Sequence, residues 1–258
     1  MDDLLATGRL KLSPAGAHLT STDTDHGELF YLSSTTKHGE GNALRGGVPV
    51  IAPWFADLLD LTPRHGWART SPWRVTVDKV GLEASMVEGG MALRLTVAEL
   101  SDGVRLELTV SNESDTAKTV QLAFHPYFLV THPGKVEVGG LDGVQVLDRV
   151  SGKEATQEGD LEIEGEYDRI FLDSVPVTIT DPGKKRVITI RPDGADSTVV
   201  WNPGRDLAAD MADIGTGEWA DFLCVEPALL GEDQQGVEIA DGETRRISME
   251  VTVAPLAD

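Results

Sequence analysis

Residues 91–112 read MALRLTVAELSDGVRLELTVSN, and the pattern in this stretch indicates the fold class. On both sides of Asp102-Gly103, apolar residues occupy every second position and mostly polar residues lie between them. A period of two is typical of a half-buried antiparallel strand. An Asp-Gly pair between two such runs is typical of a hairpin turn. The stretch therefore predicts a β-hairpin.

The same alternation recurs along the chain. It is clear at residues 73–77 and 247–253, and turn pairs punctuate the sequence between such runs. These pairs are Gly89-Gly90, Asp142-Gly143, Pro182-Gly183, Asp193-Gly194 and Asp241-Gly242. No repeat or compositional break marks a linker. We therefore expect an all-β fold, a large antiparallel β-sandwich, formed by one domain over residues 1–258.

Helical spacing is confined to residues 206–214. Leu207, Met211 and Ile214 lie four and three residues apart, and Asp206 is a candidate N-cap. This predicts one short helix inserted among the strands, and one or two short helices in the whole chain. Strands that do not alternate with regular helices argue against a doubly wound α/β fold.

The composition limits the partners that we expect. The 258 residues contain 43 Asp and Glu against 22 Lys and Arg, a net charge of −21. Such a surface repels phosphodiester backbones and anionic lipids, so we expect no nucleic acid and no membrane partner. One cysteine, Cys224, permits no internal disulfide, and no targeting or transmembrane segment is apparent. These features predict a cytoplasmic protein. We expect a monomer, although no sequence feature determines the oligomeric state.

The segment NALRGGVPVIAPWFADLLDLTPRHGWAR, residues 42–69, lacks clean alternation. A stretch of this length without regular structure in a compact domain is usually functional or disordered, and its apolar content argues against disorder. Arg45, Arg64 and Arg69 are scarce cations in an acidic chain. Each could pair with a surface carboxylate. Alternatively, they form a site for a carboxylate or phosphate, whose geometry the guanidinium fork matches.

Two further segments break the strand pattern at an ionisable residue. His125 precedes Pro126, which cannot donate to a ladder, so we expect the strand to be interrupted just beyond His125. Glu226 precedes Pro227, and we expect an apolar strand to end there. A half-buried structural histidine and a solvent-facing glutamate are the plain interpretations. A proton donor and a general base are the functional ones.

Other motifs are weaker or missing. Asp168 could end a turn or bind a hydroxyl, and Trp201 could stack on a ligand or fill the core. The sequence has no nucleotide-binding glycine motif and no nucleophile elbow. Its histidines lack zinc-binding spacing. Cys224 lies in an apolar run, which favours an inert buried thiol.

Taken in order, these segments resemble one known family. The matching stretches are ALRGGVPVIAPWF (43–55), RHGWARTSPW (64–73), FHPYFLV (124–130), YDRIF (167–171), VVWNP (199–203) and CVEPA (224–228). They resemble the hexose-6-phosphate mutarotases, or glucose-6-phosphate 1-epimerases, of the galactose-mutarotase-like superfamily. The RGG and HGxAR motifs are similar to those that separate this branch from plain aldose 1-epimerases.

The resemblance implies a large antiparallel sandwich with the active site on a concave face. It implies that His125 is the general acid at the ring oxygen and Glu226 the general base at the anomeric hydroxyl. Asp168 would hold sugar hydroxyls and His65 would bind or orient the substrate in the same pocket. Arg45 and Arg69 would hold the phosphate. Relatives often carry glutamine in place of Arg64, so this residue either adds a third cation or points away.

The resemblance also implies the chemistry, which is the interconversion of α and β anomers of a hexose 6-phosphate by ring opening and closure. This isomerase reaction needs no cofactor and no metal. In an acidic protein, the arginines must act on the phosphate locally, and we expect a positive pocket within a negative surface. Two alternatives stay open: the same chemistry on unphosphorylated aldoses, and a non-catalytic carbohydrate-binding protein of the same fold.

Overall fold

Antiparallel strands make up most of the structure, a computed structural model that describes residues 4–39, 41–77, 79 and 81–257. The ends of the predicted domain, Met1–Asp3 and Asp258, lie outside the described residues. The described strands are β1 (Leu5–Thr7), β2 (Leu10–Ser13), β3 (His18–Thr24), β4 (Gly27–Glu28), β5 (Val50–Ile51), β6 (Arg74–Val77), β7 (Gly81–Glu88), β8 (Met91–Leu100), β9 (Gly103–Asn112), β10 (Lys118–Val120), β11 (Leu122–Phe124), β12 (Tyr127–Leu129), β13 (Glu137–Gly139), β14 (Gln145–Asp148), β15 (Lys153–Thr156), β16 (Tyr167–Phe171), β17 (Val177–Asp181), β18 (Arg186–Asp193), β19 (Ser197–Asn202), β20 (Phe222–Leu229), β21 (Val237–Ile239) and β22 (Thr244–Pro255).

Two eight-stranded sheets dominate. The front sheet has the order β15-β14-β16-β19-β20-β11-β5, with β12 also beside β20, and the back sheet has the order β13-β17-β18-β22-β9-β8-β7-β6. All pairings within them are antiparallel. Strands β1 to β4 form a smaller sheet, and β10 pairs with β21. This arrangement confirms the predicted all-β sandwich.

The main core lies between the two large sheets. Along β20, Leu223 and Val225 belong to this core together with Leu106 and Leu108 of the back sheet. The alternate residues of β20 face the other way, and they are also buried. Loops therefore cover this outer face of the front sheet. They exclude water from it, so side chains are buried on both faces of the sheet.

The hairpin prediction is confirmed. Strands β8 and β9 pair along their whole length, with Leu100 opposite Gly103 at the turn. In β9, Val104, Leu106 and Leu108 are fully buried, as the period of two requires. Burying each such side chain contributes about 1.5–3 kcal/mol. Strand β22, which shows the same alternation, pairs with β9 in the centre of the back sheet.

The helix prediction was partly wrong. The helix α1 spans Gly204–Ala209, begins before Asp206 and ends well before Ile214. Pro203 is its N-cap and no side chain caps it, so Asp206 lies in the first turn instead. Beyond α1 the chain continues in turns, which bury Ile214 without extending the helix. The 3₁₀ helices are Pro133–Lys135, Glu218–Asp221 and Glu232–Gln234.

None of the helices in the described part of the chain has the length and apolar content needed to cross a membrane.

One of the two predicted strand ends is confirmed. Strand β11 stops at Phe124 and β12 starts at Tyr127, so the interruption falls at His125 and Pro126. The other prediction was wrong, because β20 runs through Glu226 and Pro227 to Leu229.

The break between β11 and β12 explains why β20 tolerates a proline. The carbonyl of Ala228 points toward β19, where it accepts from Asp196 N. The backbone of Pro227, one residue earlier, therefore points toward the β11 side. There β20 pairs with β12 only up to Cys224 and with β11 only from Ala228. The missing N–H of Pro227 thus faces the break and removes no ladder hydrogen bond.

Candidate active site

A cavity of about 470 Å³ opens on the outer face of the front sheet. Its volume falls within the range of small-molecule sites. All seven residues predicted from the sequence line it, and they are Arg45, Arg64, His65, Arg69, His125, Asp168 and Glu226. The other lining residues are Phe55, Arg149, Glu166, Val199, Trp201, Leu207 and Met211. Four arginines and three carboxylates thus meet in one cavity of a chain whose net charge is −21.

The floor of the cavity carries a histidine–glutamate pair. His125 Nε2 lies 3.3 Å from Glu226 Oε1, and their side chains are only 8% and 1% exposed. His125 sits at the break between β11 and β12, and both of those strands pair with β20, which carries Glu226. Sheet register therefore holds the two side chains together. His125 Nδ1 and Glu226 Oε2 are buried and have no hydrogen-bond partner in the described part of the chain.

The pKa values of the pair shift in opposite directions. Burial lowers the pKa of His125 well below its usual value, and the positive charges of Arg45 and Arg69 lower it further. Burial raises the pKa of Glu226 well above its usual value, and the charge of Asp168 adds to this. Because burial penalises a net charge on the pair, the favoured state near neutral pH holds one proton between the two groups.

Aromatic rings fix the orientation of His125. Its imidazole stacks on Tyr127 with the ring centroids 4.8 Å apart and the planes 5° from parallel. The edges of Trp201 and His65 complete the enclosure, each with its centroid 5.7 Å away. These contacts leave the imidazole little freedom to rotate, so its Nε2 stays directed at Glu226.

Arg45 enters the cavity from a turn that two glycines permit. Gly46 and Gly47 have φ of 113° and 58°, conformations that favour glycine. His18 Nε2 lies 2.7 Å from Gly46 O and supports the turn. A Cβ atom on Gly47 would lie 2.3 Å from Leu19 O and 2.7 Å from His18 Nε2. The RGG motif therefore needs glycine for both conformation and space.

The guanidinium of Arg45 is already engaged. It donates to Tyr127 Oη at 2.7 Å and to Asp213 Oδ2 at 2.9 and 3.1 Å. Arg45 thus pairs with a carboxylate, as the plainer of the two sequence interpretations held. The same contacts pin its position beside the ring that stacks on His125.

Arg69 has no carboxylate partner among the described residues. Its Nη2 donates to Arg64 O at 2.8 Å, and its buried Nε has no acceptor within residues 4–39, 41–77, 79 and 81–257. Burial lowers the pKa of Arg69 to about 10, and the nearby positive charges of Arg45 and Arg64 contribute. Binding of an anion therefore stabilises the guanidinium of Arg69.

Arg64 lies at the rim of the cavity. Its side chain is 57% exposed, and its Nη1 lies 3.6 Å from Asp57 Oδ2. An ion pair this exposed contributes little to stability. Of the three arginines named from the sequence, Arg64 and Arg45 therefore have acidic partners, whereas Arg69 does not.

His65 is partly buried beside the pair and is held by the backbone. Its Nδ1 accepts from Ala56 N at 3.2 Å, and its ring meets Phe55 edge-on. Burial lowers its pKa well below the usual value, with the charge of Arg69 as the next cause. An imidazole that is neutral and accepts at Nδ1 carries its proton on Nε2, so His65 is a hydrogen-bond donor.

Arg149 is a residue that sequence reasoning missed. It donates to Asp168 Oδ2 at 3.2 Å and to Asp57 Oδ1 at 3.1 Å. These contacts tie β16 to the loop that carries Arg64 and His65. Burial raises the pKa of Asp168, and the charge of Arg149 partly offsets this. Arg149 belongs to no motif and follows an ordinary strand, so no local signal marked it.

Asp213 was also missed, because its role depends on the turns beyond α1 that bring it to Arg45. Met211 and Leu207 were predicted only as apolar positions of a helix, yet both line the cavity. Trp201 was singled out as a candidate stacking residue, and its ring lies beside His125.

Together, the fold and this cavity define a class, the galactose mutarotase-like β-sandwich proteins. A solved structure from Salmonella typhimurium, described as a "putative mutarotase", superposes with a TM-score of 0.85 at 25% identity, covering 98% of this chain and 90% of that one. A galactose mutarotase-like protein from Lactobacillus casei shares the fold with a TM-score of 0.74 at 16% identity, over 97% and 99% of the two chains.

The chain belongs to the aldose 1-epimerase family, whose model matches residues 6–252. Two curated relatives, from Cenchrus ciliaris and Escherichia coli K12, are each 30% identical and each bear the name "Putative glucose-6-phosphate 1-epimerase". The first alignment covers 93% of this chain and 80% of the relative, and the second covers 85% and 79%. The family resemblance inferred from the motifs is confirmed.

Gly47, the second glycine of the RGG turn, gives a stability prediction, and Gly143 is its matched control. Gly143 also has positive φ, but a Cβ there would meet nothing within 4 Å. Gly143→Ala should cost about 1–2 kcal/mol of unfolding free energy from backbone strain alone. Gly47→Ala adds collisions with Leu19 O and His18, so we expect it to cost at least about 1 kcal/mol more. Urea denaturation measures both, and equal losses would contradict the packing of this turn.

Proposed function

We propose that this protein interconverts the α and β anomers of hexose 6-phosphates, as a single catalytic domain, with His125 as general acid and Glu226 as general base. One observation carries the proposal: a buried imidazole and carboxylate 3.3 Å apart share a cavity with Arg69, a partly buried cation that lacks a carboxylate partner among the described residues. An acid, a base and an anion holder are what this reaction needs.

The reaction proceeds by opening and closing the hemiacetal. Glu226 takes the proton from the anomeric hydroxyl, and the C1–O5 bond breaks with its electron pair moving to the ring oxygen. His125 protonates that oxygen, which leaves an open-chain aldehyde. After rotation about C1–C2, the hydroxyl attacks the other face of the carbonyl while the two groups exchange roles. The pair ends with the one proton with which it began.

A bound phosphate would also prepare His125 for its role. In the empty cavity, the charges of Arg45 and Arg69 are among the causes that lower the pKa of His125. A phosphate dianion beside these arginines offsets their charge, and the pKa of His125 then rises. The shared proton is thereby shifted toward the imidazole, which is the form that can protonate the ring oxygen.

Other residues position the sugar. His65 can donate from Nε2, and Asp168 can accept from a hydroxyl while Arg149 holds it. Trp201 offers a ring on which a sugar face can pack. Arg69 would hold the phosphate at one end of the substrate, and the His125–Glu226 pair would contact the other end. The anomeric carbon is then fixed between acid and base, which supplies the positional part of the rate enhancement.

The same chemistry on unphosphorylated aldoses is the second candidate. It is favoured by the observation that Arg45 and Arg64 already have carboxylate partners, which a purely structural role would explain. The third candidate, a carbohydrate-binding protein without turnover, would not require a buried acid and base in contact.

Exchange NMR on the wild-type protein tests the proposal. We expect faster exchange between the anomers of glucose 6-phosphate than the uncatalysed rate, and little or no acceleration for free glucose. Equal acceleration of both sugars would favour the unphosphorylated-aldose candidate. Binding of glucose 6-phosphate without acceleration of either sugar would overturn the enzyme proposal and favour the binding protein.

Replacing Arg69 by alanine isolates the role of the phosphate. We expect kcat/KM on glucose 6-phosphate to fall about 10- to 100-fold, the loss of one charge-assisted contact. Arg94→Ala is the control, because Arg94 is an exposed arginine of the back sheet that pairs with Glu83. It should leave the rate unchanged. A wild-type rate in Arg69→Ala would remove Arg69 from the phosphate site.

A further inference from the structure

Cys224 lies beside the catalytic pair, and the mechanism does not use it. Cys224 and Glu226 are two residues apart on β20, so their side chains lie on the same face of the front sheet. The backbone register also places Cys224 opposite Tyr127, the residue that stacks on His125. The thiol is fully buried.

Three potential metal ligands therefore meet at one point. One ligand atom each from His125, Cys224 and Glu226 lies within 4.8 Å of the others, and all three residues are buried. Glu226 Oε2 is buried and has no hydrogen-bond partner among the residues that the structure describes. Imidazole nitrogen, thiolate sulfur and carboxylate oxygen are together a donor set that suits Zn²⁺.

The distances fit a tetrahedral ion. Bonds of about 2.0–2.1 Å from Zn²⁺ to nitrogen and oxygen place those two atoms about 3.3 Å apart in a tetrahedron. His125 Nε2 and Glu226 Oε1 are 3.3 Å apart. With a Zn–S bond of about 2.3 Å, the sulfur should lie about 3.6 Å from the other donors. The three ligand atoms lie within 4.8 Å of one another, so the sulfur must approach by at most about 1.2 Å.

We propose that His125, Cys224 and Glu226 form a binding site for a thiophilic divalent cation such as Zn²⁺, and that the bound cation inhibits the protein by occupying the pair. His125 and Glu226 line the cavity, so the cation can reach them from there. Binding itself is independent of the proposed function, and only the inhibition rests on it.

Charge balance supports binding in this buried place. The pair holds one proton and the thiol holds another, and coordination releases both as Zn²⁺ enters. Two protons leave as one divalent cation enters, so the net charge of the site is the same with and without the cation. Neighbouring Arg45 and Arg69 therefore meet no added positive charge. Histidine spacing could not reveal this site, because two of its ligands come from β20 and the third from the break between β11 and β12.

Cobalt substitution tests the site without any measurement of activity. Co²⁺ bound through a thiolate gives a sulfur-to-metal charge-transfer absorption band. We expect the wild-type protein to bind one Co²⁺ with this band, Zn²⁺ to displace it, and Mg²⁺, which prefers oxygen ligands, to have no effect. Cys224→Ala should abolish the band and weaken Zn²⁺ binding, measured by calorimetry, at least about tenfold.

Two variants guard the interpretation. Glu226→Gln removes a different ligand and should weaken Co²⁺ binding too, which keeps the test valid if Cys224→Ala does not fold. His132→Asn is the control, because His132 lies outside the cavity beside Trp219 and should leave binding unchanged. A wild-type protein without the thiolate band, or a Cys224→Ala variant that binds Zn²⁺ as tightly as the wild type, would overturn the site.

Inhibition is measured separately by anomer exchange. We expect micromolar to millimolar Zn²⁺ to slow exchange and a chelator to restore it, with each variant compared with its own chelator-treated rate. Cation binding in a protein that has no exchange activity would refute the proposed function and leave the site standing. Exchange that continues at full rate with the cation bound would overturn the inhibition.

Discussion

The buried contact between His125 and Glu226 is the constraint on which the rest of the site depends. Two titratable groups that are almost excluded from water cannot both hold a proton, or both lack one, without leaving a net charge in the buried site at a large penalty. Contact at 3.3 Å lets them share one proton instead. The charges of Arg45 and Arg69 lower the pKa of His125, whereas the charge of Asp168 raises the pKa of Glu226. These surrounding charges therefore decide which of the two groups holds the proton.

The fold supplies this contact through an interrupted sheet. Because β11 ends at Phe124 and β12 begins at Tyr127, His125 lies at a gap between two strands that both pair with β20. Pro227 in β20 faces the same gap. The RGG turn brings Arg45 to Tyr127, whose ring stacks on His125. Each element near the pair thus contributes to its position.

Much of this architecture could be predicted from sequence, and the rest could not for identifiable reasons. Period-two runs and Asp102-Gly103 predicted the hairpin of the back sheet, because burial on one face leaves a local signature. The seven site residues that were named from sequence motifs all line one cavity. Arg149 and Asp213 left no signature, because their roles arise only from tertiary contacts with Asp168 and Arg45. Position in the sheet likewise overrode the tendency of Pro227 to end a strand.

A double-mutant cycle on the pair tests the central claim most directly. The anomer exchange rate of glucose 6-phosphate is measured, after subtraction of the uncatalysed rate, for His125→Asn, Glu226→Gln and the double variant. If the two groups share one proton and act as a unit, each single variant loses about 10²- to 10⁴-fold and the double variant loses hardly more. Losses that multiply in the double variant, or a single variant that keeps the wild-type rate, would contradict the account.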